Sequence, residues 1–201
     1  MPGLIFYFPL CFRVDLCGRL CYDTIEIDFQ YTEGCSMSCP ISFVLADRGT
    51  IPAGTAVYFL PEGREPASLP DKLRRALPCP VGQARLLPDP EHPSHFLICT
   101  APPHWLDGNH GEEEWLSSCY KNSIALAAES GIKHIIFPSD TAGGCPPRTA
   151  ARIALGSILH GLQRSPELAV SIVCSDPMAL KRYQFNWNMW FEEEHQGEHS
   201  P

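Results

Sequence analysis

Apolar residues along this chain fall into short continuous runs bounded by turn-forming residues, the pattern of strands covered on both faces rather than of strands that alternate. These runs predict strands over 25–31, 40–46, 83–88, 95–100, 132–137 and 168–174. Helical spacing predicts helices over 66–77, 112–130 and 148–164; in the last, Ala151, Leu155, Ile158, Leu159 and Leu162 form one apolar stripe. Prolines cluster between residues 52 and 103 and cut the early half into short elements, because each removes an N–H donor and fixes φ.

From 95 to 174 the order is strand, helix, strand, helix, strand, which predicts parallel strands joined by right-handed crossovers, with helices covering an α/β sheet. Residues 1–24 show no clear period and are expected to form an N-terminal extension. Residues 25–190 form the expected domain, and the polar 191–201 is expected to be a disordered tail.

At 201 residues the chain is long enough for one domain with a real core. A net charge of −8 and a pI near 5.4 count against nucleic acid as a partner, since no Lys/Arg cluster is present to release counterions. No apolar run reaches the ~18 residues of a membrane span. The opening MPGLIFYFPLCF lacks the basic start of a secretory signal. A monomer without a membrane partner, cytoplasmic or nuclear, is therefore expected. Cys99, Cys119, Cys145 and Cys174 sit in or beside apolar segments and read as buried thiols. Cys11, Cys17, Cys21, Cys35 and Cys39 are denser but match no zinc spacing, and His92, His95, His104 and His110 share no face of one element. No metal and no cofactor is expected. The acids of EEEW (112–115) suit a first helical turn, where the dipole favours them.

The stretch HIIFPSDTAGGCPPRTAARIAL (134–155) reads as a strand, a loop of small residues and the start of a helix. Ligands of α/β sheets bind at such loops beyond the carboxyl ends of strands. Gly143 and Gly144 permit close backbone approach, Thr141 adds a hydroxyl, and the helix start offers unpaired N–H groups: a cradle for a phosphate or diphosphate. The pattern is neither G-x-x-x-x-G-K-[ST] nor G-x-G-x-x-G. A tight turn needing two glycines would look the same.

From residue 79 to about 183 the chain resembles macro domains, carried by CPVGQA (79–84), FLICTAPPHW (96–105), EEEWLSSCYKNSIALAAESGIKHIIFP (112–138), DTAGG (140–144) and RTAARIAL (148–155). The resemblance implies a three-layer α/β/α fold around a mixed, largely parallel sheet, and ADP-ribose or an ADP-ribosylated protein as ligand. It also implies that Thr141, Ala142, Gly143 and Gly144 wrap the diphosphate and distal ribose, with Cys145 near the place of a ribose-covering aromatic. A glutamate at Gly143 would then block the ligand and leave the fold intact. The stretch 41–57 stands for the strand and loop that carry the family's catalytic Asn. Asp47 would replace that Asn, either as a general base or as the mark of a lost activity, and an ordinary turn residue before Gly49 would look the same; Gly54 would be a remnant of the glycine run, and Val57 would fill the valine position. Gln30 is the counterpart of the adenine-recognising acid, and Tyr183 or Phe185 of the aromatic that packs on adenine; both aromatics also suit a core. Three functions stay open: ADP-ribose binding, ADP-ribosyl hydrolysis of a protein or ADP-ribose derivative, and a degenerate macro fold used for protein–protein interaction.

Overall fold

The computed structural model describes residues 24–30, 36–45, 53–60, 71–89, 95–140 and 143–196, with only the main chain of 24–30, 36–40 and 190–196. In chain order the elements are β1 (Thr24–Gln30), β2 (Ser36–Leu45), β3 (Thr55–Phe59), α1 (Asp71–Arg74), β4 (Ala84–Pro88), β5 (Phe96–Thr100), α2 (Glu112–Glu129), β6 (His134–Pro138), α3 (Pro147–Leu162), β7 (Ala169–Cys174) and α4 (Pro177–Gln196). The strands form one seven-stranded sheet in the order β1-β2-β7-β6-β3-β5-β4. β2, β7, β6, β3 and β5 run parallel, and the outer strands β1 and β4 pair antiparallel. The sheet is thus mixed and largely parallel, as expected. The five parallel strands end at one edge, where the loops into the helices gather.

Three elements differ from expectation. β3 was not foreseen, yet it lies at the centre of the sheet between β6 and β5. It is only five residues long and follows Pro52 and Gly54, so turn signals obscured the β-forming Thr55, Val57, Tyr58 and Phe59. The expected helix 66–77 is represented among the described residues by the single turn of α1. α4 runs to Gln196, past Phe191 where order was expected to stop. Residues 1–23, with Cys11, Cys17 and Cys21, and residues 197–201 lie outside the described residues, as does Cys35.

Alternation along the strands splits the core in two. Ile98 joins Ile41, Phe43, Val57, Ile135, Phe137, Val170 and Ile172 under α2, α3 and α4, whereas Leu97 and Cys99 face the other way with Leu60, Leu73 and Ala76. Each fully buried side chain of this size stabilises the fold by ~1.5–3 kcal/mol. α2 and α3 touch at Gly161, where an added Cβ would stand 2.8 Å from the Ile124 Cδ1. α4 is seated by Phe43, whose ring meets Tyr183 at 6.0 Å and Trp187 edge-on at 5.8 Å.

On the face away from α2–α4 a polar chain crosses three strands. His134 Nδ1 lies 2.7 Å from the Ala53 carbonyl oxygen and Nε2 lies 2.7 Å from Ser171 Oγ, which is 2.8 Å from Ser42 Oγ. A carbonyl only accepts, so Nδ1 carries a proton; in the neutral ring Nε2 then accepts from Ser171, which accepts in turn from Ser42. The side chain at 134 thereby ties β6 to β7, β2 and the approach to β3.

Candidate functional site: the glycine loop at the carboxyl edge

β6 and β7 are locked together where they end. Ser139 N–H donates to the Val173 carbonyl at 2.8 Å, Ser175 hydroxyl donates to Asp140 Oδ2 at 3.0 Å, and Asp176 Oδ1 accepts from Met178 and Ala179 N–H to cap α4. The chain then passes Gly143 and Gly144 into α3. Gly144 has φ of +79° and open space where a side chain would be. α3 begins with Pro146 as N-cap and Pro147 inside, and no side chain caps it. Neither proline has an N–H. The first free donors of the helix are therefore the amides of Arg148 and Thr149, and no described residue accepts from these or from the amides of Gly144 and Cys145. Arg148 adds a guanidinium at the same helix start, 5.3 Å from the ring centre of the exposed Phe185. A partial positive charge, unspent N–H groups and an exposed guanidinium suit an anion.

The neighbouring turn, from β5 to α2, holds this loop in place. Trp105 N–H donates to the Gly143 carbonyl at 2.8 Å. A Cβ on Gly143 would drive into the Pro103 carbonyl oxygen, far inside ordinary contact. The turn itself is built around Glu112, a buried carboxylate. Its Oε1 accepts from Leu106, Asp107 and Gly108 N–H at 3.1, 3.4 and 3.3 Å, and its Oε2 accepts from His110 N–H at 2.6 Å. Burial opposes its ionisation, but the converging main-chain N–H donors outweigh that and hold the carboxyl down to about 2. Gly108 and Gly111, at φ of +87° and +83°, let the chain curl around it. CPVGQA serves the same edge: Gly82 N–H donates to the Ala101 carbonyl at 2.8 Å, and Thr100 hydroxyl donates to that of Gln83 at 2.7 Å.

The expected site residues scatter. Gly143, Gly144 and Cys145 are at the loop, and Thr141 and Ala142 lie outside the described residues. A substituent at Gly143 meets protein backbone, not ligand space, so the expectation that a glutamate there would spare the fold is corrected. Cys145 is turned inward: it belongs to the main core, and burial, reinforced by Glu113 and opposed by Arg152, pushes its thiol up to about 12. It does not stand where it would cover a ribose. Gly54 precedes β3 and faces His134 at the start of β6, its would-be Cβ 3.0 Å from Nδ1. It lies at the opposite edge of the sheet, about 16 Å away by the length of a five-residue strand. Val57 is 3 % exposed in the middle of β3 and is core. Gln30 ends β1 beside Ser36, and because β1 is antiparallel this also is the far edge. Tyr183 is 1 % exposed, and its hydroxyl donates to the Ser139 carbonyl at 3.3 Å, so no face of its ring is open to a base. Asp47 lies outside the described residues. β2 ends at Leu45 beside Cys174 of β7, so β7 stands between β2 and β6. The strand next to β6 is β3, so the end of β3 at Phe59 and Leu60, and not the end of β2, lies beside the end of β6.

Sequence reasoning missed Glu112 as the centre of a turn, although the two glycines of LDGNHGE were a signal for it. It also missed Arg148, which nothing but its position in the fold distinguishes from other exposed arginines. Of the four other thiols among the described residues, Cys99, Cys119 and Cys174 are buried and Cys79 is partly so; Cys119 Sγ donates to the Ala101 carbonyl at 3.2 Å and Cys79 Sγ to that of Gln83 at 3.4 Å. No group of three or more potential ligands that could hold a metal occurs among the described residues, and no described helix is long and apolar enough to cross a membrane.

Loops at the carboxyl edge of a largely parallel sheet, with main-chain amides at a helix start, are where α/β folds bind their ligands. The family model for the macro domain matches residues 63–154. A macro domain-containing protein of Methanosarcina mazei is 39% identical over 107 residues, 51% of this chain and 57% of that protein. The O-acetyl-ADP-ribose deacetylase of Citrobacter rodentium is 36% identical over 110 residues, 53% of this chain and 62% of that protein. The solved Oceanobacillus iheyensis macrodomain with MES bound is similar in fold, with a TM-score of 0.63 at 25% identity over 76% of this chain and 93% of that one. The likeness of the sequence to macro domains lies in residues 63–154, the stretch that the family model matches. The match spans less than two thirds of either relative's length.

Proposed function

We propose that this chain binds ADP-ribose, free or attached to protein, with the diphosphate against the main chain from Gly144 to Thr149. The observation that carries the reading is the set of amides at Gly144, Cys145, Arg148 and Thr149 that no described residue uses, beside open space at Gly144. The proline pair at 146–147 leaves fewer N–H groups than a typical helix start, and the Arg148 guanidinium compensates with a full charge. A variant of the Oceanobacillus macrodomain solved with ADP-ribose supports the ligand class. Calorimetric titration with ADP-ribose tests it: saturable heat is expected, and none at millimolar ligand would refute it. Gly144→Glu points into open space and sets a negative charge against the phosphates, so it should abolish binding at a folding cost of about 1 kcal/mol for a side chain at positive φ.

Hydrolysis of an ADP-ribose derivative is a second reading, favoured by relatives named O-acetyl-ADP-ribose deacetylase. Incubation with ADP-ribosylated protein or O-acetyl-ADP-ribose, wild type beside Asp47→Ala, tests it. Release by wild type alone would make Asp47 the base, and equal release by both would leave Asp47 without a catalytic role.

A further inference from the structure

Trp115, in the first turn of α2, is 48 % exposed, yet its ring is supported from beneath by main chain. The six-membered ring rests on Gly82, where an added Cβ would stand 2.9 Å from the indole Cε3 and lift the ring away. The five-membered ring lies beside Gly111, whose added Cβ would be 3.7 Å from the indole Nε1 and 3.8 Å from Glu114 Oε2. The outer side of the indole therefore faces solvent with a carboxylate at its pyrrole edge. Among the described residues no cation pairs with Glu114, whereas Glu113 next to it is paired with Arg152 of α3. The turn before the helix adds Leu106, 65 % exposed, and the exposed Asp107. The sequence has no Lys or Arg between Arg85 and Lys121. The surface around this ring is thus apolar and negative. An aromatic face beside an uncompensated carboxylate attracts a cation, and a guanidinium suits it better than an ammonium, because its plane stacks on the ring while its N–H groups reach the carboxylate.

We propose that the Trp115 face and the Glu114 carboxylate take an arginine side chain of an ADP-ribosylated protein, so that this surface reads the sequence beside the modified residue while the cradle holds the modification. This rests on the ADP-ribose reading and narrows its partner to a protein with arginine near the modified residue. Glu113 turns toward α3, and the indole occupies the neighbouring flank of α2, so about one helix diameter, ~10–12 Å, separates it from the start of α3. Roughly three or four residues of extended chain span that distance. The net charge of −8 draws a cationic segment toward the protein before it docks.

Two ADP-ribosylated peptides, alike except for arginine or glutamine at the third and fourth positions on each side of the modified residue, would be titrated into wild type, Trp115→Leu and Glu114→Gln. Wild type should bind the arginine peptide about three- to tenfold more tightly, the range of a cation–π contact at an exposed ring. Trp115→Leu should remove that preference and Glu114→Gln should reduce it. Free ADP-ribose should bind all three proteins alike, because neither side chain lines the cradle. Equal binding of the two peptides by wild type, a preference that survives either substitution in full, or a loss of free ADP-ribose affinity in the variants would each overturn the assignment. The unmodified arginine peptide separates this inference from the proposed function. At millimolar concentration it should shift the Trp115 indole N–H resonance, the one missing from Trp115→Leu, and the glutamine peptide should not. That shift in a protein that fails to bind ADP-ribose would overturn the proposed function alone; an unmoved resonance would overturn the arginine site even where ADP-ribose binds.

Discussion

Replacing Gly143 by alanine isolates the join between the two loops. The new Cβ would stand nearer the Pro103 carbonyl oxygen than such atoms approach in ordinary packing, so that oxygen must withdraw by roughly 1 Å. It is not free to do so. Trp105, two residues on, is held by the Gly143 carbonyl, and the turn that follows is pinned by the N–H groups gathered on Glu112. Overpacking of this kind costs about 1–3 kcal/mol, and loss of the Trp105 hydrogen bond adds about 1 kcal/mol. The sum, roughly 2–4 kcal/mol, corresponds to a fall of roughly 5–15 °C in Tm for a domain of this size. Gly144→Ala is the internal comparison, since its left-handed φ costs about 1 kcal/mol and nothing stands in the way. Thermal unfolding followed by far-UV circular dichroism measures both. A Gly143→Ala protein that melts with wild type, or a Gly144→Ala protein that is the less stable of the two, would refute the close approach of the loops.

Glu112→Gln should lower Tm at neutral pH, because the amide cannot accept at both ends and brings its own N–H to donors already in place. The wild-type carboxyl lies at about 2, below its ordinary 4.5, so its stabilisation is complete above pH 4.5 and is lost as pH falls from there toward 2. Melting curves over that range should fall more steeply for wild type than for Glu112→Gln; parallel curves would deny the carboxylate this role. His134→Ala should cost ~1–2 kcal/mol by stranding the Ala53 carbonyl and the Ser171 hydroxyl. Urea unfolding would measure that loss, and ADP-ribose affinity should stay unchanged because His134 begins β6 at the edge away from the loop.

The second half of the fold was legible because its apolar runs are long and its helices carry one face each: β5, β6, β7, α2 and α3 all begin and end within two residues of the expected places. The first half was not. β3 is short, stands behind a proline and a glycine, and becomes central only through pairing with β5 and β6, a non-local event that no local window contains. That one omission propagated into the site. With β3 unseen, the segment 41–57 looks like a single strand and binding loop, with Gly54 as a remnant of the glycine run and Val57 in the valine position, although Gly54 precedes and Val57 lies in the middle of a different strand. Gln30 failed for a related reason, since the antiparallel sense of β1 decides which end reaches the site. The glycine loop itself was readable from Gly143 and Gly144, but not the division of labour between them: Gly143 makes room for Pro103, and Gly144 turns the chain beside open space. Glu112 was readable only as a helix-start acid, because its donors come from a turn whose path depends on the tertiary fold.

Main-chain amide resonances followed in a 1H–15N spectrum during titration with ADP-ribose test the cradle most directly. The amides of Gly144, Cys145, Arg148 and Thr149 should shift downfield together and saturate with the calorimetric affinity, as N–H groups do on gaining a charged acceptor. Saturable binding that leaves these four resonances in place, and moves only amides elsewhere, would contradict a diphosphate held at the start of α3.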